Sequence, residues 1–279
     1  MKRLCVIGDP VLHSKSPAIQ NAMIKAVGAE VEYLCQPVKS EELPAFLAAM
    51  RAGEWAGCNV TMPHKGAVIP HLDWVEEGAL RCNAVNTICN RDGKLYGYST
   101  DGGGFLCAVA EAGVEVRGKT VTLLGAGGAA VSVAWALAQA GVKTLHAANR
   151  TVSKAEELCR LAPGLMEPHP FDSDTLCALA AQSDLLVNAT SLGMAGVKGQ
   201  FEDFSFVAAL PGHAAVFDLI YHPAQTELLG HAEERGLVAR NGLGMLLHQA
   251  VLALEYFLDR RLDPAVVVPA ARRGLESAM

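Results

Sequence analysis

Two ionisable residues in this chain stand where they could move a proton. Lys65 ends the stretch Gly57-Cys58-Asn59-Val60-Thr61-Met62-Pro63-His64-Lys65, and Asp101 lies in Ser99-Thr100-Asp101-Gly102-Gly103-Gly104. An ammonium group and a carboxylate that meet in a cleft can carry a proton to and from a substrate oxygen. Val60 is expected to end a buried strand. Pro63 is expected to begin a helix, because its missing N–H is not needed at the first helical position. Asn59, Thr61 and Lys65 would then project from a strand-to-helix turn, at the carboxyl edge of a sheet where ligands bind. Taken alone, Lys65 is equally a solvated lysine in a first turn, and Asp101 equally an N-cap for the helix carrying Phe105, Leu106 and Val109. Ser14 and Ser16 offer two hydroxyls in the loop after the strand Leu4–Ile7. The alternative role of Ser16 is the N-cap of a helix that has Pro17 at its first position. Ala84–Ile88 is expected to be a strand with Asn86 inside its apolar run, where a buried amide must be hydrogen-bonded to structure or to ligand. The glycines after Asp101 allow either close approach of a ligand or a hinge.

A second chemistry follows Gly118. Val121–Leu124 is a strand, and Gly125-Ala126-Gly127-Gly128-Ala129-Ala130 fits G-x-G-x-x-A. A helix over 130–140 and the strand Lys143–Ala148 come next, the context that a dinucleotide fingerprint requires. Its glycines admit a pyrophosphate to the backbone, and the helix amino end supplies N–H donors. An NAD site wants an acidic residue after the second strand, to hold the ribose 2′-hydroxyl. Here the strand ends Asn149-Arg150-Thr151-Val152-Ser153-Lys154, with no acid before Glu156. A cationic cluster suits a 2′-phosphate. At roughly 1.5–3 kcal/mol per charge-assisted hydrogen bond, one or two bonds favour NADP by about tenfold to thousandfold. The strand Asp184–Ser191 ends in a polar turn that should face the same cofactor.

The elements that position these residues read as α/β throughout. Further strands are expected at Val31–Val38, Leu95–Tyr98, Ala215–Tyr221 and Leu237–Ala239. Helices are expected over Glu41–Met50, over Asp73–Leu80 and from about Asn241 to Asp259, with a last helix at the carboxyl end. Asn90–Lys94 carries the Asp-Gly hairpin signal. The predicted architecture is an N-terminal α/β substrate-binding and catalytic domain over residues 1–101, and a Rossmann-type, doubly wound domain over 102–240. Helices over 241–279 are expected to pack back on the first domain. A chain of 279 residues, 51% hydrophobic and 19% charged, has ample core for this. Net charge of −6 with no long basic run points away from nucleic-acid or anionic-membrane partners. Eight cysteines without CxxC spacing suit reduced thiols in the cytoplasm. The histidines form no HxH or HExxH pattern, so no metal site is expected. The uncharged stretch Thr120–Val142 has the length of a membrane span, but reads as strand, glycine turn and helix.

Together these motifs resemble the shikimate dehydrogenase family. The likeness runs along nearly the whole chain: Ser14-Lys15-Ser16-Pro17, Asn59 to Lys65, Ala84-Val85-Asn86-Thr87, Thr100-Asp101-Gly102, Gly125 to Ala130, Asn149-Arg150-Thr151, Asn188-Ala189-Thr190-Ser191, and Gly242-Leu243-Gly244-Met245 with Gln249. The resemblance implies reversible, NADP-dependent reduction of 3-dehydroshikimate on the route to chorismate and the aromatic amino acids. It implies Lys65 and Asp101 as the proton-transfer pair, and Ser14, Ser16, Thr61, Asn86, Tyr221 and Gln249 as substrate ligands. It places the cofactor on Gly125, Ala126, Gly127, Gly128, Ala129, Ala130, Asn149, Arg150, Thr151 and Lys154, with Glu77, Leu219 and Gly242 near the nicotinamide. One departure is Ser99, where the family usually has Asn; serine can keep one hydrogen bond there but not two, which bears on local loop geometry or substrate preference. Oxidoreductases of quinate or aminoshikimate are the neighbouring alternatives, and a non-catalytic NADP-binding sensor is a further one. The small-molecule partner is the ring acid, and the working state is a monomer or a homodimer.

Overall fold

Parallel β-pairing near the amino end builds the first sheet. The structure, a computed structural model, describes residues 2–278. The chain forms two units, Met1–Gly104 with Leu247–Met279, and Phe105–Leu246. The first unit contains β1 (Lys2–Gly8), α1 (Ser16–Ala26), β2 (Val31–Pro37), α2 (Leu43–Arg51), β3 (Gly57–Val60), β4 (Trp74–Val75), α3 (Glu77–Arg81), β5 (Thr87–Arg91), β6 (Lys94–Tyr98) and the start of α4 (Asp101–Glu111). Its sheet has the order β2-β1-β3-β5-β6-β4. β1 is parallel to β2 and β3, whereas β5 runs antiparallel to β3 and β6. Every residue of β1 from Leu4 onward is buried, as expected of a parallel strand covered on both faces.

This topology explains how one edge collects the chemistry. The loops after β1 and β3 leave from the carboxyl ends of adjacent parallel strands. Because β5 is reversed, its beginning lies at the same edge, where Asn59 pairs with Thr87. β6 is reversed again, so its end, paired Tyr98 to Thr87, returns there too. Ser14, Thr61, Lys65, Asn86 and Asp101 therefore all leave this sheet at one edge.

Three sequence expectations change. Pro63 begins no helix: Met62–Pro63 is a cis peptide, and residues 61–68 run through turns closed by His64 N–H to Thr61 O at 3.0 Å. Asp73–Leu80 is not one helix, because the sheet edge takes its first half. Trp74 and Val75 pair with Tyr96 and Gly97, while the Asp73 carboxylate accepts the Leu95 N–H at 2.7 Å. Only Glu77–Arg81 remains helical. Finally, β5 starts at Thr87, so Asn86 precedes the strand.

The second unit carries β7 (Thr120–Leu124), α5 (Gly128–Gln139), β8 (Thr144–Ala148), α6 (Val152–Cys159), β9 (Met166–His169), α7 (Ser173–Ala180), β10 (Leu185–Asn188), α8 (Ser205–Ala209), β11 (Ala215–Asp218), α9 (Glu227–Glu234) and β12 (Val238–Arg240). All its pairings are parallel, in the order β12-β11-β10-β7-β8-β9. The order reverses between β7 and β10, the doubly wound arrangement. Alternate residues serve two cores: Leu123, Leu145, Val187 and Phe217 on one face, Leu124, Ala148, Leu186 and Val216 on the other. Thr120–Val142 forms β7, a turn and α5, and no helix among the described residues is long and apolar enough to cross a membrane.

The chain closes with α10 (Leu243–Leu258) and α11 (Pro264–Glu276). The division between units falls inside α4 and α10, because both helices continue unbroken past the boundaries at 101 and 240 expected from their starts. Within the first unit α11 packs on α1, and Gly274 allows it: a Cβ there would lie 2.5 Å from Ala18 O.

Candidate active site

Lys65 and Asp101 meet. Lys65 Nζ donates to Asp101 Oδ2 at 2.6 Å, with the carboxylate 12% exposed and the lysine side chain 32% exposed. The other carboxylate oxygen accepts Asn86 Nδ2–H at 2.8 Å. The second Asn86 amide proton goes to Thr100 Oγ1 at 2.9 Å, and Asn86 Oδ1 accepts the Thr100 N–H at 2.9 Å. Asn86 thus acts as a clip that fixes Asp101, which answers the question its buried position raised. The network reaches further back. Thr87 Oγ1 donates to Asn86 Oδ1, Asn59 Nδ2 donates to Thr87 Oγ1, and the Tyr33 hydroxyl donates to Asn59 Oδ1 at 2.7 Å. Burial pushes the Tyr33 phenol well up, so it remains a neutral donor. Asn59 is therefore buried in this network and does not project toward a ligand.

The Lys65 loop is held on both sides. His64 is fully buried with Nε2 donating to Val38 O at 2.7 Å, and Lys65 O accepts the Val85 N–H at 3.0 Å. Thr61 N–H donates to Ile7 O at 2.9 Å, and its methyl group packs where a Cβ on Gly8 would come within 2.5 Å. Ser14 and Ser16 are half-buried. Ser16 opens α1 without capping it, and Ser14 Oγ instead accepts the Ser16 N–H at 3.2 Å. Asp101 is the first residue of α4, but its carboxylate is spent on Lys65 and Asn86 rather than on a cap. The glycines after it serve helix packing. A Cβ on Gly104 would lie 2.6 Å from Gln249 N, and one on Gly103 2.9 Å from Leu252 Cδ1. Gly104 thereby lets α10 bring Gln249 within one turn of Asp101. Glu77, at the start of α3, is exposed and pairs with Arg81 at 2.9 Å.

The remaining sequence-derived residues belong to the second unit. Gly125 takes φ +102°, and a Cβ on it would press on Thr190 and Ala189 at 3.0–3.1 Å. Gly127 and Gly128 face open space, and α5 starts behind them. Ala129 is exposed, whereas Ala130 is buried in the core, so it serves close helix–strand packing and not the groove. A groove is lined by Gly125, Ala126, Gly127, Asn149, Arg150, Thr151, Lys154, Phe171 and the turn Ala189–Leu192. Arg150 and Lys154 are exposed and carry no ion pair within the described residues, free to meet an anion. Thr151 is the N-cap residue of α6, yet its side chain makes no cap bond, and its carbonyl accepts Asn149 Nδ2–H at 2.8 Å. Glycine cradle, helix amino end and two unpaired cations fit a dinucleotide that ends in a 2′-phosphate.

The polar turn expected to face these groups is held by its own Asn188 and by Asp218, which pattern reading passed over. Asn188 Oδ1 accepts the N–H and hydroxyl of Thr190 at 3.0 and 2.7 Å, while its amide donates to Asp218 Oδ1 at 3.0 Å. Burial raises the Asp218 carboxyl above its ordinary range, against hydrogen bonds from Thr226, Ile220 and Asn188. Phe171 gave no sequence signal, since it lies in an irregular segment after β9. After β11, Gly242 closes on Leu219: its N–H donates to Ile220 O at 2.9 Å, and a Cβ would lie 2.1 Å from Leu219 O. Tyr221, two residues on, is 46% exposed.

Comparison with known proteins agrees with both halves. Residues 6–88 match the family described as shikimate dehydrogenase substrate binding domain, and residues 108–199 match shikimate / quinate 5-dehydrogenase. The NADP⁺-dependent shikimate dehydrogenase of Symbiobacterium thermophilum is 42% identical over 98% of this chain and 94% of its own length. Shikimate 5-dehydrogenase from Thermus thermophilus, solved with NADP(H) and shikimate, is 36% identical with TM-score 0.84, covering 98% of this chain and all (100%) of that one. The Listeria monocytogenes shikimate 5-dehydrogenase, solved with shikimate and NAD, is 32% identical with TM-score 0.89, covering 98% and 96%. By its sequence, its fold and the residues at its two sites, this chain belongs to the shikimate dehydrogenase family.

Proposed function

We propose that this protein catalyses the NADP-dependent, reversible reduction of 3-dehydroshikimate to shikimate, supplying the route to chorismate and the aromatic amino acids. The observation that carries the proposal is the Lys65–Asp101 pair, fixed at 2.6 Å and clipped by Asn86. NADPH, held by the Gly125–Ala129 turn, Asn149, Arg150, Thr151 and Lys154, would supply hydride chemistry. Leu219 and Gly242 shape the nicotinamide end. In the reductive direction the Lys65 ammonium donates its proton to the carbonyl oxygen of the ring acid. In the oxidative direction the lysine amine takes the hydroxyl proton. Asp101 holds Lys65 in place and balances its charge, and Asn86 keeps the carboxylate turned toward it. Ser14 and Ser16 bind the substrate carboxylate end, while Thr61, Gln249 and Tyr221 bind its hydroxyls. The eight cysteines are all free thiols, which supports action in the cytoplasm, as a monomer or homodimer.

The test is a substrate panel on the purified protein. Shikimate with NADP⁺ is expected to give reduced nicotinamide at a kcat/KM at least about tenfold above that with quinate, aminoshikimate or NAD⁺. Absence of turnover with every ring acid overturns the enzymatic reading, and preference for quinate or aminoshikimate overturns the substrate.

A further inference from the structure

β9 is the edge strand of the second sheet, and its parallel register with β8 places three metal-ligating side chains on one face. His146 pairs with Glu167, and Ala148 with His169. Side chains alternate along a strand, so His146, Glu167 and His169 point the same way. His146 Nδ1 lies 3.1 Å from His169 Nε2 and 3.3 Å from Glu167 Oε2, and the last two atoms are 3.8 Å apart. The rings stand at 67° with centroids 5.0 Å apart, and the two nitrogens and the carboxylate oxygen lie in one tight cluster. With metal–ligand bonds near 2.0–2.1 Å, tetrahedral geometry sets neighbouring ligand atoms about 3.3 Å apart. The three observed separations straddle that value.

We propose that His146, Glu167 and His169 form a binding site for a divalent transition metal, Zn²⁺ in the first instance. One proton on an imidazole can bridge only one of the three separations, whereas a cation satisfies all three lone pairs together. Two imidazoles and a carboxylate select Zn²⁺, Co²⁺ or Ni²⁺ over Mg²⁺ and Ca²⁺, which prefer all-oxygen sets. His146 is 7% exposed and anchors the site from within, while Glu167 at 56% leaves one side open for a water as fourth ligand. The metal would tie the edge strand β9 to β8. Sequence pattern could not show this site, because 20 residues separate His146 from Glu167 and only strand register unites them.

Co²⁺ is the probe, added to full-length protein freed of any affinity tag. The expected result is one equivalent of Co²⁺ with the intense visible bands of a tetrahedral site, no sulfur-to-cobalt charge-transfer band, and displacement by Zn²⁺. His169→Ala and Glu167→Gln, each on a residue with substantial exposure, are expected to lose at least about tenfold in Co²⁺ and Zn²⁺ affinity by competition. Both should keep the parent Tm and turnover in the absence of metal. No bound equivalent, a thiolate spectrum from the free cysteines, or affinity unchanged in both variants would each overturn the proposal, leaving a hydrogen-bonded histidine pair.

Discussion

Removing the Lys65 ammonium group is the sharpest perturbation the structure suggests. Positioned acid–base catalysis contributes about 10²–10⁴ in rate, which is about 3–5 kcal/mol of barrier. Lys65→Ala is expected to lower kcat by that factor. KM should move by less than about tenfold, since the hydroxyl and amide groups assigned to substrate binding are untouched. The fold should tolerate the change. Asp101 keeps Asn86 Nδ2–H at 2.8 Å, and Lys65 is one-third exposed, so the lost charged hydrogen bond costs about 1–2 kcal/mol. Against a typical stability of about 5–15 kcal/mol, that leaves the protein folded, and unfolding cannot imitate the lost turnover. Asp101→Asn should also lower kcat. The double variant should fall about as far as the worse single variant, because the two side chains act as one device. The assay follows absorbance of the reduced nicotinamide under saturating shikimate and NADP⁺, with thermal melts alongside. Lys65→Ala within tenfold of the parent kcat would refute the role, and strictly additive losses would refute the coupling.

Three further outcomes follow from other parts of the molecule. Arg150→Ala should reduce kcat/KM for NADP⁺ by about 10–100-fold, the loss of one charge-assisted hydrogen bond, with little change for NAD⁺ and an unaltered Tm; equal effects on both cofactors would remove Arg150 from phosphate recognition. Tyr33→Phe leaves Asn59 Oδ1 without its buried donor at 2.7 Å, and should destabilise the fold by about 1–3 kcal/mol in urea melts. Its kcat should fall far less than that of Lys65→Ala, and an unchanged urea midpoint would count against the network. The Leu95 N–H, and then Arg51, hold the Asp73 carboxyl below its ordinary range. Such a depressed value stabilises the fold above the unfolded-state pKa, and the gain disappears as pH falls through the folded value. Asp73→Asn should therefore be less stable than the parent at neutral pH, with the gap closing in acid; a gap independent of pH would contradict this.

Much of the chemistry was legible because it is local. Gly125-Ala126-Gly127-Gly128 reads as a tight turn because a strand precedes it and a helix follows, and Arg150 and Lys154 sit within five residues on one loop and the helix that follows it. The alternation of Leu123 with Leu124, or Leu186 with Val187, likewise announces a sheet buried on both faces. Expectations failed where a distant partner outbid local preference. Trp74 and Val75 left a helical pattern for the edge of β6, and the Asp101 carboxylate expected as an N-cap went to Lys65 and Asn86. Gly103 and Gly104 looked like room for a ligand or a hinge, and instead seat α10.

The residue types and their order determined by themselves that the chain is α/β, that it carries a phosphate cradle with cations beyond it, and that one lysine and one aspartate stand at loop ends. Those properties depend on spacing of a few residues, and spacing is written in the chain. Tertiary structure alone decided that the two charges touch at 2.6 Å, that Tyr33, Asn59, Thr87 and Asn86 line up behind them, and that His146 meets Glu167 and His169. Most of those meetings join residues that different strands, or the loops and helices at their ends, bring together. They depend on which strand lies beside which, and in which direction, a choice made by burying two sheets and not by any neighbouring side chain.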